Sequence, residues 1–315
     1  MKDHLVGKRL REYLLLYCIG KGGMAKVYKA RHTLLDEIRA IKILRPELTD
    51  RDDYIARFHR EAKILVKLRH PNLVQLHEFG TLGKDLFFIV MEFLEGECLR
   101  ARLHRHGWLS VPETLKIAKQ VCLGLSNAHK EGVVHRDISP DNILLVPKGD
   151  EDMVKVIDFG IAKNPLSFGG SEITGTMEIV GKAEYCSPEQ VEPPENPDEI
   201  KIDGRSDIYS LGVTLFETLT GERPFDAKTV QGYLAMHARK APKSFQDANP
   251  LVQIPQALQD LVMRMLEKGR ARRPQSVEEL YQQLAAVYHE EPGLTPIWSA
   301  SLRFLPPGEL TLPPL

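Results

Sequence analysis

Two charged residues sit inside apolar patterns, and they constrain the fold of this chain more than any other feature. Residues 38–44 read Ile-Arg-Ala-Ile-Lys-Ile-Leu, a strand-like apolar run with Lys42 inside it. A Lys in an apolar strand is costly unless it is paired. Further on, Ile55, Phe58, Ala62, Leu65 and Leu68 recur at three- and four-residue steps, the spacing of one helix face. Glu61 falls in register with that face, where a carboxylate also needs a partner. Either Lys42 faces solvent, or it pairs with Glu61 and the helix packs on the strand. A pair of that kind can hold a lysine against phosphate oxygens.

The flanking segments supply a sheet around this pair. Strand-like runs span 13–19, 26–30, 38–44, 73–79 and 86–93, with turn signals between the early ones. After Gly96 the texture becomes helical. Ser110 and Glu113 match a capping box, and the helix behind them carries Leu115, Ala118, Cys122, Leu125 and Ala128, with Gly132 as a stop. Short strands are expected around 143–146 and 154–157. Helices are expected at 207–220, 256–266 and 278–287, the last with Ser276 and Glu279 as a second capping box. Residues 192–199 are rich in Pro and acid and read as a surface loop. From Glu290 onward Pro292, Pro296, Pro306, Pro307, Pro313 and Pro314 break any helix.

The balance of 42 Lys and Arg against 43 Asp and Glu, a formal net charge of −1, argues against a general nucleic-acid or membrane-surface binder. No apolar run approaches the roughly 20 residues that span a bilayer. The first residues lack the apolar core of a signal peptide. The four cysteines, Cys18, Cys98, Cys122 and Cys186, are far apart with no CxxC pair, so a reduced cytoplasm fits best. The 315 residues suffice for about two domains or lobes.

Three further stretches carry chemistry. Gly20-Lys-Gly22-Gly23-Met-Ala-Lys-Val27 lies between two expected strands, where glycines let backbone N–H groups approach a phosphate; the alternative is a plain hairpin turn. His135-Arg136-Asp137-Ile-Ser139-Pro-Asp-Asn142 precedes an apolar strand. Sixteen residues after Asn142, another apolar strand ends in Asp158-Phe159-Gly160. The Asp and Asn oxygens form a set suited to Mg²⁺.

In this order the motifs resemble the protein-kinase signature set of glycine-rich loop, strand Lys, helix Glu, HRD…N and DFG. The resemblance runs from about Tyr13 to Val287. It extends to Ser187-Pro188-Glu189, which matches the APE-type segment, to Ser206-Asp207-Ile-Tyr-Ser-Leu-Gly212, and to Arg273, which matches the family's partner for Glu189. The glycine loop and the Pro-Glu-Gln at 188–190 look like bacterial, Hanks-type Ser/Thr protein kinases. The implied fold class is α+β: a two-lobed kinase fold, with a small antiparallel-sheet N-lobe carrying one helix and a larger, mainly helical C-lobe. The implied boundaries are an N-terminal extension at 1–12, an N-lobe at 13–94, a C-lobe at 95–289 and a Pro-rich tail at 290–315.

The resemblance implies ATP and Mg²⁺ as cofactors, with Mn²⁺ as a substitute, and protein substrates as partners. It leaves open a homodimer through the N-lobe. Lys42, held by Glu61, would contact the α- and β-phosphates, beneath a loop of Ile19, Gly20, Gly22 and Gly23. Val27, Ala40 and Leu144 would sandwich the adenine. Glu92 and Leu94 would offer hinge backbone groups behind a Met91 gatekeeper. Asp158 and Asn142 would hold Mg²⁺, and Asp137 would take or orient the substrate hydroxyl proton. Leu65, Leu76, His135 and Phe159 would stack as an apolar spine.

The chain departs from the family pattern in two places. Ala25 stands at the third loop glycine. Ser139 stands where Ser/Thr kinases carry a Lys that contacts the γ-phosphate, and Lys182, after Gly181, stands where they carry a Thr. A swap is expected, with Lys182 returning the charge and Ser139 the hydroxyl; the alternative is a solvated Lys182 in a weak or dead enzyme. Thr174 and Thr176 are expected phosphosites that balance Arg136. Cys18, Cys122 and Cys186 read as packed side chains. The expected activity is that of a non-specific Ser/Thr protein kinase. The alternative is an ATP-binding pseudokinase scaffold.

Overall fold

Alternation along each strand sets the two faces of the first sheet. The computed structural model describes residues 3–45, 52–83, 86–159, 183–191 and 202–290. Strands β1 (Arg9–Leu10), β2 (Tyr13–Lys21), β3 (Ala25–His32), β4 (Ile38–Leu44), β5 (Leu76–Leu82) and β6 (Leu86–Glu92) form one antiparallel sheet in the order β1-β2-β3-β4-β6-β5. Ile41 and Ile43 of β4 join an outer cluster with Leu10, Tyr13, Leu15, Tyr28, Ala30, Phe88 and Val90. Ala40 and Leu44 face the other way, onto Phe58, Ala62 and Leu65 of α1 (Asp52–Leu65). Lys42 shares that inner face by the two-residue period.

The residues before Tyr13 belong to this sheet rather than trailing from it. Leu10 is buried, Leu5 packs on the outer cluster, and the Asp3 carboxylate accepts from Lys26 Nζ at 2.9 Å and the Tyr28 hydroxyl at 3.1 Å. The strand expected at 73–79 begins later, at Leu76. The preceding stretch is claimed by the other half of the molecule. Val74 donates to Val156 O at 3.0 Å, Val156 donates to Asn72 O at 2.9 Å, and the Asn72 amide donates to Val154 O at 2.8 Å.

That second half opens with β7 (Glu97–Cys98) and α2 (Leu99–His106), followed by α3 (Val111–Lys130). Strand β8 (Ile143–Lys148) pairs with β7 on one side and with β9 (Glu151–Val156) on the other in a small antiparallel sheet. Then come α4 (Pro188–Val191), α5 (Gly204–Thr220), α6 (Val230–Arg239), α7 (Phe245–Ala248), α8 (Gln256–Met265) and α9 (Val277–Glu290). Ser110 caps α3 by accepting from Glu113 N–H at 3.4 Å, whereas the Glu113 carboxylate turns to Arg102 at 2.9 Å. Ser276 accepts from Glu279 N–H at 3.1 Å. Helix α5 starts three residues before the expected 207, because the Asp203 carboxylate accepts from Arg205 N–H at 3.0 Å and caps it there.

Helix α5 is buried on all sides from Ser206 to Thr220. Its hydroxyls at Ser210, Thr214, Thr218 and Thr220 survive burial by donating to the carbonyls of Ser206, Ser210, Thr214 and Phe216. None of the described helices is long and apolar enough to cross a bilayer. The stretch at 192–199 and the tail from 291 lie outside the described residues.

One buried ion pair joins α4 to the last helices. Arg273, with no side-chain exposure, donates to both Glu189 oxygens at 2.8 and 2.9 Å. Its remaining N–H groups go to the carbonyls of Glu267, Arg205 and Lys268, which uses all five donors of the fork. Ser206 donates a further bond to Glu189 at 2.6 Å. Burial pushes the Glu189 carboxyl up, but the Arg273 hydrogen bonds outweigh it and leave it below its ordinary range. Glu189→Ala strands a buried guanidinium and is expected to cost about 3–5 kcal/mol of stability, read by chemical denaturation.

Candidate active site

A cleft of about 1010 Å³ opens between the six-stranded sheet and the helical half. The β2–β3 hairpin roofs it with Ile19, Gly20, Gly22, Gly23 and Val27, and Gly22 N–H closes the hairpin on Ala25 O at 2.9 Å. Ala40, Lys42 and Glu61 line its upper wall. Met91, Glu92 and Leu94 line the connection between the halves, and Asp137, Ser139, Asn142, Leu144 and Asp158 line its floor. Every sequence-predicted site residue among the described ones therefore lines this one cleft. Lys182, Thr174 and Thr176 lie outside the described residues.

Lys42 is held between two carboxylates. Its Nζ donates to Glu61 Oε1 at 2.6 Å and to Asp158 Oδ1 at 3.0 Å. Burial pushes the Lys42 amine down, but the negative charges of Asp158 and Glu61 outweigh it and hold the amine above its ordinary range. The lysine is thus a permanent cation in the upper wall of the cleft. Glu61 is almost fully buried, as its place on the apolar face of α1 requires.

The loop carrying Asp137 is fixed from behind. Asp207, fully buried at the start of α5, accepts from His135 N–H and Arg136 N–H, both at 2.8 Å, and lies 2.7 Å from His129 Nε2. Burial pushes the Asp207 carboxyl up, and the His129 hydrogen bond leads the interactions that outweigh it and leave it below the ordinary value of 3.8. These bonds hold Arg136 at φ +65°, a left-handed conformation that costs a non-glycine residue on the order of 1–3 kcal/mol. Asp158, across the cleft, is left-handed too, at φ +53°. Gln190 of α4 donates to Arg136 O at 3.0 Å, so the same residue is pinned at both ends of its backbone.

The His135 ring fills in the rest. Asp137 N–H donates to its Nδ1 at 3.2 Å, so its Nε2 is the donor to Ile157 O at 3.0 Å. The ring lies 4.5 Å from that of Phe159, and Leu65, Leu76 and Phe159 belong to one buried cluster. Asn142 Nδ2 donates to Asp137 O at 2.7 Å, which leaves Oδ1 as the atom that can face a cation.

Asp158 and Asn142 supply hard oxygen donors, the chemistry Mg²⁺ takes. Among the described residues no group of three or more His, Cys, Asp and Glu could hold a metal unaided. A cation here would therefore complete its shell with phosphate oxygens and water, which is how Mg²⁺ is held in phosphate-handling sites.

Several contributors escaped the sequence reading. Tyr54, Val74, Phe93 and Ile157 also line the cleft. Lys155, buried on β9, donates to Glu92 Oε1 at 2.6 Å, and Gln75 N–H donates to the same oxygen at 2.8 Å. These bonds engage the Glu92 side chain, so the backbone is what this residue offers the cleft. Gly96 matters for space: a Cβ there would sit 2.2 Å from Leu145 O. The sequence signal for Lys155 was the one that found Lys42, a Lys in the apolar run of 154–157.

Comparison with known proteins agrees with this geometry. The sequence model of the family described as "Protein kinase domain" matches residues 13–284. Serine/threonine-protein kinase pkn3 of Myxococcus xanthus is 38% identical over 291 residues, covering 91% of this chain and 52% of that protein. Serine/threonine-protein kinase PrkC of Bacillus subtilis is 37% identical over 277 residues, 88% of this chain and 40% of that one. The crystal structure of the Mycobacterium tuberculosis PknI kinase domain superposes with a TM-score of 0.67 at 25% identity, covering 90% of this chain and 98% of that one. The chain spans about half the length, or less, of these curated relatives.

The Asp207 anchor has a pH signature. Its folded pKa lies below that of a free Asp, so the stability it contributes is fully present above the unfolded value of 3.8. That stability is lost as pH falls through the lower folded value. Asp207→Asn is expected to cost about 1–3 kcal/mol at neutral pH and to narrow its gap to the wild type as pH drops below about 4. Urea denaturation of both proteins across that range checks it.

Proposed function

Because the chain belongs to the protein kinase family, we propose that it transfers the γ-phosphate of ATP to Ser and Thr hydroxyls of proteins. One observation carries the reading: Lys42, fixed between Glu61 and Asp158, faces Asp137 and Asn142 across a single cleft. Protein kinases generally use ATP and Mg²⁺. Val27, Ala40 and Leu144 clasp the adenine in this reading, with backbone groups of Glu92 and Leu94 along its edge and Met91 behind it. Lys42 binds the α- and β-phosphate oxygens. Asp158 and Asn142 hold Mg²⁺, whose charge when bound offsets that of the phosphates. Asp137 accepts and orients the proton of the incoming hydroxyl. Most of the catalysis is positioning and charge neutralisation by groups already in place.

Ser139, buried beside Asp137 and Asn142, lacks the amine the family usually places there. In this proposal Lys182 supplies that cation from the activation segment, and Ser139 supplies the hydroxyl. Thr174 and Thr176, in the same segment, are the proposed autophosphorylation sites. Ser139→Lys combined with Lys182→Thr should then retain activity that Lys182→Ala loses.

The test of the reading is phosphate transfer from ATP to a generic Ser/Thr protein substrate. Asp137→Asn is expected to lower the rate by about 10²–10⁴-fold with nucleotide affinity nearly unchanged, since Asp207 holds the loop backbone at His135 and Arg136. A wild-type rate no higher than that of Asp137→Asn, with nucleotide still bound, would mark the chain as a pseudokinase scaffold.

A further inference from the structure

An arginine that the proposed mechanism does not use binds Asp141, a residue that lines the cleft. Arg100, on the first turn of α2, is only 20% exposed. Its Nη1 donates to Glu217 Oε1 at 2.6 Å, its Nε to Asp141 Oδ2 at 3.3 Å, and its Nη2 to the Tyr185 hydroxyl. The Tyr185 hydroxyl in turn donates to the second Glu217 oxygen. Four elements meet on this one guanidinium: α2, the turn at Pro140–Asn142, the segment entering α4, and α5.

The charges define what the recess is without Arg100. Asp141 lines the same cleft as Asp137, four residues further along the loop, and its carboxylate is 60% exposed. Glu217 is almost buried, and Glu184 beside it has its own cation in Arg223. Removing the guanidinium leaves two carboxylates and a phenol converging on a gap shaped for a guanidinium, one side of it open to the cleft. Such a gap attracts a basic side chain.

We propose that Arg100 is a specificity-determining residue: it fills an acidic recess beside Asp137 with the chain's own guanidinium and thereby denies that recess to a basic residue of a protein substrate. The natural substrates are accordingly chains without a required Arg or Lys next to the acceptor hydroxyl. Specificity of this kind comes from occupying the site of the wrong partner rather than from a new contact to the right one. The proposal rests on the kinase reading above.

The test uses a peptide series with one Arg at successive positions on either side of a Ser or Thr acceptor. In the wild type no Arg position should raise kcat/KM above the Ala peptide. In Arg100→Ala at least one position should gain about fivefold or more, and millimolar guanidinium chloride, unlike sodium chloride, should erase the gain. The same salt should raise the melting temperature of Arg100→Ala but not that of the wild type, a readout that needs no turnover. Should Arg100→Ala not fold, Arg100→Ser, which empties the recess and keeps a short donor, carries the same readouts. A folded variant with unchanged Arg-to-Ala ratios, or with no guanidinium-specific melting shift, overturns the proposal. A wild type no more active on any peptide than Asp137→Asn overturns the kinase reading and the specificity claim with it; the melting shift then reports separately whether the recess takes a guanidinium.

Discussion

A charged amine on the inner face of a sheet is tolerable only where a carboxylate lies within hydrogen-bonding reach, and for Lys42 that carboxylate is Glu61. The pair sets the distance and rotation of α1 against β4, because Phe58, Ala62 and Leu65 must face the sheet from the same side as Glu61. It also fixes where the amine points. Asp158, just after β9 in the second half, reaches the same Nζ. The relation between the sheet and the loop at Asp158 is thus written in one three-membered charge cluster. Glu61 neutralises the lysine structurally, whereas Asp158, about half exposed, is the member that can turn to a cation.

The remaining anchors follow one rule, that a buried charged group has its polar atoms engaged. Arg273 spends its five donors on Glu189 and three carbonyls. Asp207 accepts two backbone N–H groups and faces a histidine N–H. Gln190 reaches the carbonyl of the residue whose N–H Asp207 holds. This polar framework keeps Arg136 in a strained conformation and delivers Asp137 and Asn142 to the cleft floor. Geometry held this way needs little rearrangement as charge develops on a transferring group.

Much of this was legible in the sequence where a local rule was broken. Lys42 and Glu61 stood out because each violated the apolar pattern around it, and the two capping boxes stood out through their spacing. The family resemblance extended the reading to Asp137, Asn142, Asp158 and the Glu189–Arg273 pair. What stayed hidden depends on contacts between distant segments. The residues before Tyr13 read as an extension because two residues of strand carry no periodicity, yet β1 completes the sheet. Arg100 sits in a run of Leu-Arg-Ala-Arg that reads as a solvated helix face; only the fold brings Asp141, Tyr185 and Glu217 to it. The start of α5 moved to Gly204 because Asp203 caps it, and an Asp before a Gly reads equally as a turn.

In the proposed function the Lys42–Glu61 pair acts as a unit and forms the phosphate-binding side of a phosphotransfer site. A double-mutant cycle on Lys42→Ala and Glu61→Ala, read as kcat/KM for phosphate transfer from ATP, tests it most directly. Strong coupling is expected: each single variant loses most of the activity, and the double variant loses little more, for an interaction of about 0.5–3 kcal/mol. Additive losses, with Glu61→Ala close to the wild type, would contradict it.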